Sequence, residues 1–396
     1  MLHRNRRTVS GPSRETPTVA LMLQGGAALG AHHIGAYQAL AEHDLHPDWV
    51  AGISIGGINA AIIAGNPPHE RVAKLRAFWE GVTAPSSLWP VFANALTGDG
   101  RRASALNALM FGQPGFFAPN PPLRWMHGAT PALYDTSVLR STLERLVDFD
   151  RINAGETRIS VAAVNVRTGN FAYFDNSRMR LRPEHIMASG ALPPGFPAVE
   201  IDGEHYWDGG IVSNTPLQYV MESIPRRSQL IFQVDLFQAR GRQPSNLEEV
   251  SEREKDIRFS SRTRTVTDIF RQMHDVRHNV NTLLEQLPPE IRNTPVCDFL
   301  YAFGCVTTMD IVQLVYRPDD PQGLSKDYEF SGSTMRERWN EGRSDALVTL
   351  EASPWLTPMP AEVGARTFDV PLDLKRRAKA PSKPGVKTSG RGVAAK

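Results

Sequence analysis

Two apolar runs, each followed by a glycine-rich turn and a helical pattern, restrict the fold more than any other feature of the chain. The first run, residues 18–23, is short and uncharged, which is typical of a strand buried on both faces. The second run, residues 49–53, has the same character, and helical spacing follows the turns over residues 31–45 and 56–64. Strands that alternate with helices in this way pair in parallel. The sequence therefore predicts an α/β protein with a mostly parallel sheet.

Further apolar runs extend the pattern along the chain. Residues 158–165, 229–236 and 311–316 each predict a strand, and a turn at Gly169 predicts a hairpin from the first of these to residues 171–174. Between the last two strands lies a heptad-like seam of Val266, Ile269, Met273, Val276, Val280, Leu283 and Leu287. This seam predicts a helix docked on its own domain. The alternative is a homo-oligomer formed through helix 266–287.

The two ends of the chain differ in composition from the rest. Residues 1–16 are polar and basic, and residues 374–396 hold eight basic side chains and no acidic one. Such segments predict a disordered lead-in and a disordered basic tail. Between them we expect a main domain at residues 17–240 and a helical extension with one returning strand at residues 241–373.

Residues 84–130 combine aromatic side chains with prolines and glycines and show little periodicity. The aromatic and large apolar residues include Trp89, Phe92, Phe111, Phe116, Phe117, Trp125 and Met126. This composition is typical of a loop-rich excursion packed on the core. The alternative is an apolar cap over a site for lipid-like substrates, with Phe116, Phe117 and Trp125 as the expected membrane contacts.

Charge and cysteine content exclude several classes of protein. The 44 basic and 42 acidic residues leave a formal net charge of +2, which does not favour a nucleic-acid partner. Cys297 and Cys305 are too few for a disulfide framework, although one bridge between them stays open. The longest uncharged apolar run, residues 50–66, is too short and too rich in glycine for a membrane helix. We therefore expect a soluble cytoplasmic protein that contacts membranes only peripherally.

Gly52-Ile53-Ser54-Ile55-Gly56 is the first candidate site. A G-x-S-x-G element between a strand and a helix turns sharply and projects the serine hydroxyl, because glycine tolerates crowding on either side. Ser54 would then lie at a helix N-terminus, where free N–H groups favour developing negative charge. A simple N-capping serine is the alternative interpretation.

Gly25-Gly26-Ala27-Ala28-Leu29-Gly30 forms the other glycine-rich turn. Ala27 breaks the dinucleotide-binding fingerprint, and the Gly-Lys-Ser/Thr of a phosphate loop is missing. What the turn offers is backbone N–H groups that no bulky side chain obstructs. Donors of this kind stabilise the oxyanion that forms in acyl transfer.

Asp208-Gly209-Gly210 places a carboxylate in a glycine-flanked turn. A serine nucleophile needs a group that accepts its proton, and the small glycines would let Asp208 reach another loop. An ordinary β-turn is the alternative interpretation.

Together, these three elements resemble the patatin-like acyl hydrolase family. In that family the oxyanion loop is a glycine-rich G-G-G-x-R/K-G element, the nucleophile lies in G-x-S-x-G and the base is the aspartate of D-G-G/A. All three occur here in the same order, the first with substitutions. The flanking words GGINA at residues 56–60, ASGALP at residues 188–193 and GIVSNTP at residues 210–216 also match. The resemblance covers roughly residues 18–220 and extends less clearly beyond them.

The resemblance implies a three-layer α/β/α sandwich with a mostly parallel central sheet, in which residues 17–240 form the catalytic domain. It implies that Ser54 is the nucleophile and Asp208 the base, without a histidine. The sequence has no H-E-x-x-H and no Cys/His spacing for zinc, so we expect no metal and no cofactor. The implied oxyanion hole consists of the N–H groups of Gly25, Gly26 and Ala27. The glycines that support these motifs are Gly30, Gly52, Gly56, Gly209 and Gly210. The implied activity is hydrolysis of lipid acyl esters through an acyl-serine ester.

Two positions depart from the family pattern. Ala27 replaces the third glycine but keeps the N–H donor, and Leu29 stands where the family usually has arginine or lysine. The missing charge at Leu29 argues against phospholipid headgroup recognition by that route. Simple acyl esters, lysophospholipids and hydroxyacyl oligomers become the favoured substrates.

Two other classes of function stay open at this stage. One is a non-catalytic lipid-binding or scaffold protein on the same fold. The other is a Ser–His–Asp esterase, for which His274 or His278 would follow Ser54 and Asp208 in the required order. These two histidines are four residues apart on the long helix, which predicts a solvated stripe. His32 and His33, next to the glycine loop, are interpreted as surface residues of a helix.

Overall fold

A nine-stranded sheet organises the computed structural model, which describes residues 17–84, 99–121, 132–360 and 362–379. Its strands are Thr18–Leu23 (β1), Trp49–Ile53 (β2), Arg158–Asn165 (β5), Phe171–Asp175 (β6), Val199–Ile201 (β7), Glu204–Asp208 (β8), Gln229–Asp235 (β9), Met309–Val315 (β10) and Ala365–Phe368 (β11). Ala118–Pro119 (β3) and Tyr134–Asp135 (β4) form a separate two-stranded sheet. All the strands predicted from apolar runs are present.

The α-helices of the described residues fall between and after these strands. They are Ala31–Glu42 (α1), Ile55–Ala64 (α2), Pro68–Val82 (α3), Gly100–Phe111 (α4), Ser137–Leu146 (α5), Phe149–Ala154 (α6), Pro183–Ser189 (α7), Leu217–Met221 (α8), Leu247–Gln286 (α9), Pro289–Arg292 (α10), Pro295–Phe303 (α11), Gly332–Ala352 (α12) and Val370–Lys379 (α13). Helix α13 includes the first six residues of the predicted disordered tail, and the remainder of that tail and the lead-in lie outside the described residues.

Strand order in the large sheet is β11-β10-β9-β1-β2-β5-β8-β7, and β6 pairs with β5. The six strands from β11 to β5 are parallel to their neighbours, whereas β6, β8 and β7 pair antiparallel. The hairpin predicted at Gly169 is the β5–β6 pair. The mostly parallel sheet is therefore confirmed.

The side chains of β1 point alternately to two cores, one on each face of the sheet. Leu21 and Leu23 belong to the larger core, which also contains residues of α1, α2 and α3. Ala20 and Met22 belong to the smaller core with residues of α8, and Phe270 of α9 packs against it. Successive residues of a strand face opposite sides, so the uncharged run of β1 is explained by burial on both. The chain is a three-layer α/β/α sandwich, as predicted.

The region after residue 241 contributes to the same sheet. β10 pairs in parallel with β9, and β11 pairs with β10, so this region supplies two strands rather than the single returning strand expected from the sequence. Helix α12 packs closely against α1, since a Cβ on Gly35 would lie 1.9 Å from the Trp339 carbonyl oxygen and one on Gly342 would lie 2.1 Å from that of His32.

Helix α9 buries a different face from the one that its apolar seam predicts. Ile269, Met273, Val276 and Leu283 of the seam are 37–61% exposed. The buried positions of the helix are mainly polar or charged, and include Glu252, Lys255, Asp256, Ser260, Thr267 and His274. These polar groups are buried because they have hydrogen-bonding partners, for example Lys326 Nζ at 2.6 Å from Asp256 Oδ1. Docking of the helix is confirmed, but docking through the seam is wrong.

Part of the predicted loop-rich excursion at residues 84–130 is helical. Helix α4 begins after Asp99, whose carboxylate accepts hydrogen bonds from the N–H groups of Arg101 and Arg102. Phe116 and Phe117 are 5% and 7% exposed and pack edge-on against Phe330 and at a tilt against Phe196. The prediction that these two residues contact a membrane is therefore wrong. Trp89, Phe92, Trp125 and Met126 lie outside the described residues.

Three further features of the described residues concern cysteines, membranes and metals. Cys297 and Cys305 are both buried free thiols, so the structure contains no bridge between them. In the part of the chain that the structure describes, no helix has the length and apolar character needed to span a bilayer. Nor do three or more His, Cys, Asp or Glu side chains of these residues cluster in a way that could hold a metal ion.

Candidate active site

Ser54 occupies a sharp turn between β2 and α2. Its backbone dihedral angles are φ 56° and ψ −126°, which a residue with a side chain rarely adopts. Such a conformation costs about 1–3 kcal/mol and persists only where the surrounding structure holds it. Its N–H donates to Ser189 Oγ at 3.0 Å, and the side chain is half-buried at the N-terminus of α2. The turn thus presents a hydroxyl where helix N–H groups favour negative charge.

The two glycines of G-x-S-x-G are required by close backbone contacts. A Cβ on Gly52 would lie 2.2 Å from the Gly56 carbonyl oxygen, and one on Gly56 would lie 2.1 Å from the Leu23 carbonyl oxygen. Both distances are far shorter than a non-bonded contact between a carbon and an oxygen atom. A residue with a side chain at either position would therefore displace the turn. Gly30 is similarly confined, because its Cβ would lie 2.7 Å from the Ile55 side chain.

Asp208 is almost completely enclosed at the end of β8. It is 1% exposed, its N–H donates to the Ala191 carbonyl at 2.9 Å, and its Oδ1 accepts a hydrogen bond from the Gly210 N–H at 2.7 Å. Burial raises the pKa of its carboxyl group to about 7, although hydrogen bonding with the Ser54 side chain and with the Gly210 N–H acts in the opposite direction. A carboxyl group with this pKa can exchange a proton near neutral pH.

The register of β5 explains why Ser54 and Asp208 meet. Ala162 of β5 pairs with Ile53 at the end of β2, and the next residue, Ala163, pairs with Asp208 of β8. The opposite edge of β5 is occupied by β6 at both positions. Strands β2 and β8 therefore meet end to end along one edge of β5, and Ser54 follows directly at the junction. Gly209 fits there because its Cβ would lie 2.7 Å from the Ala162 carbonyl oxygen.

The glycine-rich turn after β1 lies against the serine. A Cβ on Gly25 would lie 3.1 Å from Ser54 Cβ, which places the two turns in contact. The Gly25 N–H donates to the Asn214 carbonyl at 3.3 Å. In the described part of the chain, the N–H groups of Gly26 and Ala27 donate to no protein acceptor. Of the three predicted oxyanion donors, these two are the ones left unengaged.

Asn214 joins the two glycine-rich loops and was not singled out from the sequence. Its side-chain amide donates to the Gly25 carbonyl at 2.9 Å. Its Oδ1 would lie 2.4 Å from a Cβ on Gly25 and 3.1 Å from one on Gly210, so both glycines are needed for its approach. Ser189, which accepts the Ser54 N–H, was missed as well. Both residues lie within the flanking words that resemble the family, and this was the available signal.

The two candidate triad histidines of α9, His274 and His278, lie far from Ser54 and Asp208. His274 is 1% exposed rather than solvated, and its Nε2 lies 2.9 Å from the Thr307 carbonyl oxygen, just before β10. Ser54 follows the carboxyl end of β2. The parallel register of β2, β1, β9 and β10 places the start of β10 at the other end of the strands, where their amino ends lie. At a rise of 3.3 Å per residue, the two ends of these strands are about 20 Å apart. The structure therefore contradicts a triad through His274. It also contradicts one through His278, whose Cβ would lie 3.0 Å from a Cβ on Gly364, just before β11 and level with the start of β10.

His32 and His33 are buried, contrary to the prediction that they lie on the surface. Helix α1 is covered by α12, and the two side chains are 0% and 1% exposed. Burial lowers the pKa of His32 to about 3 and lowers that of His33 as well, so both are neutral at pH 7. Leu29, at the position of the family's basic residue, is also fully buried in the larger core.

Comparison with known proteins relates the chain to lipid-hydrolysing enzymes. A family model described as a patatin-like phospholipase matches residues 21–221, and one described as a patatin phospholipase matches residues 257–362. Triacylglycerol lipase SDP1L of Arabidopsis thaliana is 42% identical over 62 residues, which are 16% of this chain and 7% of that protein. Lysophospholipase NTE1 of Saccharomyces cerevisiae is 26% identical over 235 residues, which are 57% of this chain and 11% of that protein. This chain thus spans only about a tenth of the length of these relatives.

A solved structure shows a weaker likeness. VipD from Legionella pneumophila has 14% sequence identity and a TM-score of 0.37, and the alignment covers 85% of this chain and 67% of that chain.

Proposed function

Because the chain belongs to the patatin-like phospholipase family, whose model matches residues 21–221, we propose that it hydrolyses lipid acyl esters with Ser54 as nucleophile and Asp208 as base. The observation that carries this proposal is the strained turn that presents Ser54 beside a buried carboxyl group with a pKa of about 7. A strained serine and a carboxylate tuned to neutral pH together match the requirements of nucleophilic catalysis.

The proposed reaction begins with ionised Asp208. As Ser54 Oγ attacks the ester carbonyl carbon, its proton passes to Asp208, and the carbonyl oxygen becomes an oxyanion. The unengaged N–H groups of Gly26 and Ala27 are the proposed donors to this oxyanion. Backbone donors that are fixed before the reaction stabilise such a developing charge. The protonated aspartic acid then donates its proton to the departing alcohol, leaving an acyl-serine ester.

The second half of the proposed reaction repeats these roles with water. Asp208 accepts a proton from a water molecule that attacks the acyl-serine carbonyl, and it returns a proton to Ser54 Oγ as the fatty acid leaves. Every proton transfer uses the same carboxyl group, so the scheme requires no histidine. The two halves consume one ester and one water and produce one alcohol and one carboxylic acid.

We propose esters with small or uncharged alcohol groups as the preferred substrates. The supporting observation is that Leu29 is buried in the core, so this position offers no cation to a phosphate headgroup. The printed name of one relative, a triacylglycerol lipase, is consistent with such esters. Comparing triacylglycerol, lysophosphatidylcholine and phosphatidylcholine tests this preference, and faster turnover of phosphatidylcholine would contradict it.

A fluorophosphonate probe tests the proposed nucleophile directly. We expect one probe molecule per chain, attached to the peptide that contains Ser54, together with loss of ester turnover in proportion to labelling. Peptide mass spectrometry locates the adduct. Absence of both labelling and turnover in the purified protein would instead support a non-catalytic lipid-binding or scaffold protein.

We also propose two apolar contact surfaces, one for membranes and one for a second copy of the chain. Leu106, Leu109 and Met110 of α4 are 44–57% exposed, and the Leu109 carbonyl of this helix accepts a 2.7 Å hydrogen bond from Tyr134 Oη. This surface is the proposed membrane contact of a cytoplasmic protein. The exposed seam of α9 is the proposed contact in a homo-oligomer.

Two matched substitutions separate these surfaces. Met110→Asp is expected to weaken binding to phosphatidylcholine vesicles roughly tenfold, because burying an apolar side chain contributes about 1.5–3 kcal/mol, and to leave the oligomeric state unchanged. Val276→Asp is expected to lower the mass found by sedimentation equilibrium and leave vesicle binding unchanged. A monomeric wild type, or equal vesicle binding by wild type and Met110→Asp, would contradict the corresponding surface.

A further inference from the structure

Arg338 of α12 is a fully buried cation that reaches the glycine-rich turn after β1. It is 1% exposed, and its Nη1 donates to the carbonyl oxygens of Ala28 at 3.0 Å and Glu329 at 3.1 Å. Its Nη2 donates to the Lys326 carbonyl at 2.8 Å. Among the described residues it forms no ion pair with a carboxylate. A buried guanidinium that binds three backbone carbonyls is costly to desolvate, so its retention calls for a reason beyond stability.

Both polar backbone groups of Ala28 are held by the region that follows β10. The Ala28 N–H donates to the Asp327 carbonyl at 3.0 Å, and the Ala28 carbonyl accepts from Arg338. The peptide plane on each side of Ala28 is therefore fixed from outside the turn. The plane before Ala28 is the Ala27–Ala28 peptide, and the N–H of Ala27 is a proposed oxyanion donor.

Ala27 needs such support because its backbone is strained. Its φ of 44° lies in the left-handed region, where a residue with a Cβ is disfavoured and glycine is not. An alanine in this conformation tends to relax toward negative φ unless its neighbours prevent it. Relaxation would rotate the Gly26–Ala27 peptide, which carries the Ala27 N–H, relative to Ala28.

The segment that holds Ala28 is itself anchored to α9. Lys255 Nζ lies 2.7 Å from Asp327 Oδ1 and donates to the Leu324 carbonyl at 2.8 Å. Lys326 Nζ lies 2.6 Å from Asp256 Oδ1. Helices α9 and α12 thus form a continuous hydrogen-bonded support under the turn, and α12 lies within the second matched range, residues 257–362.

We propose that Arg338 is a positioning residue that holds the Ala28–Leu29 peptide next to the strained Ala27, and so keeps the oxyanion donors oriented for the reaction. This inference rests on the proposed function, because it assigns a task within that reaction. Arg338 does not touch the substrate and acts through the Ala28 carbonyl. The region after residue 241 is then part of the catalytic apparatus as well as of the sheet.

Steady-state hydrolysis of 4-nitrophenyl butyrate by Arg338→Met tests the proposal. We expect kcat to fall about 10- to 100-fold with KM within about twofold of wild type, because misplaced oxyanion donors weaken binding of the transition state and leave ground-state binding intact. Trp339→Phe is the matched control. This neighbour of Arg338 in α12 loses the 2.7 Å hydrogen bond from Trp339 Nε1 to Gln38 Oε1 of α1, and it should keep kcat within about twofold.

Ala27→Gly separates positioning from a general loss of stability. Glycine adopts positive φ without strain, so the kcat loss caused by Arg338→Met should shrink to about threefold when it is combined with Ala27→Gly. If Arg338→Met lowers kcat by the same factor with and without Ala27→Gly, the proposal is overturned. It is also overturned if Trp339→Phe lowers kcat by the same factor as Arg338→Met when the two variants have equal melting temperatures. If Arg338→Met does not fold, Lys255→Met is used for the same test. Its kcat is expected to fall about threefold, and Ala27→Gly should reverse this fall. An unchanged kcat in Lys255→Met would overturn the proposal. An inactive wild type would refute the proposed function itself, so the two failures are distinguishable.

Discussion

Ser54→Ala is expected to lower kcat/KM for ester hydrolysis by about 10⁴-fold or more while the protein stays folded. The substitution removes the only atom proposed to form a bond with the acyl group, and removal of a serine nucleophile typically has an effect of this size. Alanine has the same backbone preferences as serine at φ 56°, and the N–H bond to Ser189 Oγ does not involve the lost hydroxyl. Stability should therefore change little.

Initial rates with 4-nitrophenyl butyrate and a thermal melt of each protein measure this result. Ser333→Ala, on the exposed first turn of α12, is the matched control and should retain wild-type rates. Activity of Ser54→Ala within tenfold of wild type would exclude Ser54 as the nucleophile. A large fall in melting temperature would show that the hydroxyl contributes to folding, and a rate loss could then not be assigned to chemistry.

Asp208→Asn is expected to lower kcat about 10²- to 10⁴-fold, the usual contribution of a positioned general base. Asparagine keeps an oxygen that accepts the Gly210 N–H, so the turn should be preserved. In the wild type, activity should rise with pH around a midpoint near 7 and level off above it, because Asp208 acts as a base only when ionised and its pKa is raised to about 7. The residual activity of Asp208→Asn should lack this midpoint.

The same substitution should stabilise the protein at high pH. The carboxyl group has a pKa of about 7 in the folded state and 3.8 in the unfolded state, so between these values the folded chain binds more protons. The wild type therefore loses stability as pH rises from about 4 to 7, a loss that Asp208→Asn avoids. We expect the melting temperature of Asp208→Asn relative to wild type to be higher at pH 8 than at pH 5.

Asp235→Asn is the matched control for this pair of effects. Asp235 is 5% exposed and burial raises the pKa of its carboxyl group to about 7, but its partners are Gln233 and Thr215 rather than Ser54. It should show the same gain in stability at pH 8 with kcat within about threefold of wild type. Near-wild-type turnover in Asp208→Asn would rule out Asp208 as the base, whatever its effect on stability.

Local sequence patterns predicted most of what lies within a few residues of the site. The runs at residues 18–23 and 49–53 form strands with these bounds, and Gly52 and Gly56 are required where the motif places them. These features depend on backbone sterics and on burial of both faces of a strand, which neighbouring residues alone reveal. The meeting of Ser54 and Asp208 was inferred from family resemblance, and its physical cause, the shared edge of β5, is visible only in the sheet register.

The sequence by itself determined the α/β alternation and the positions of the serine turn and the glycine-rich loop, because each follows from the pattern of residues close together in the chain. The strained conformation of Ser54 also depends on distant contacts, such as the one with Ser189. Only the tertiary structure decided which face of α9 is buried, why His32 and His274 are enclosed, and how Arg338 reaches Ala28 across 310 residues. Apolar spacing shows that a helix has a face that could be buried, but not that a polar face will find better partners elsewhere. Those partners come from distant segments, and only packing brings them together.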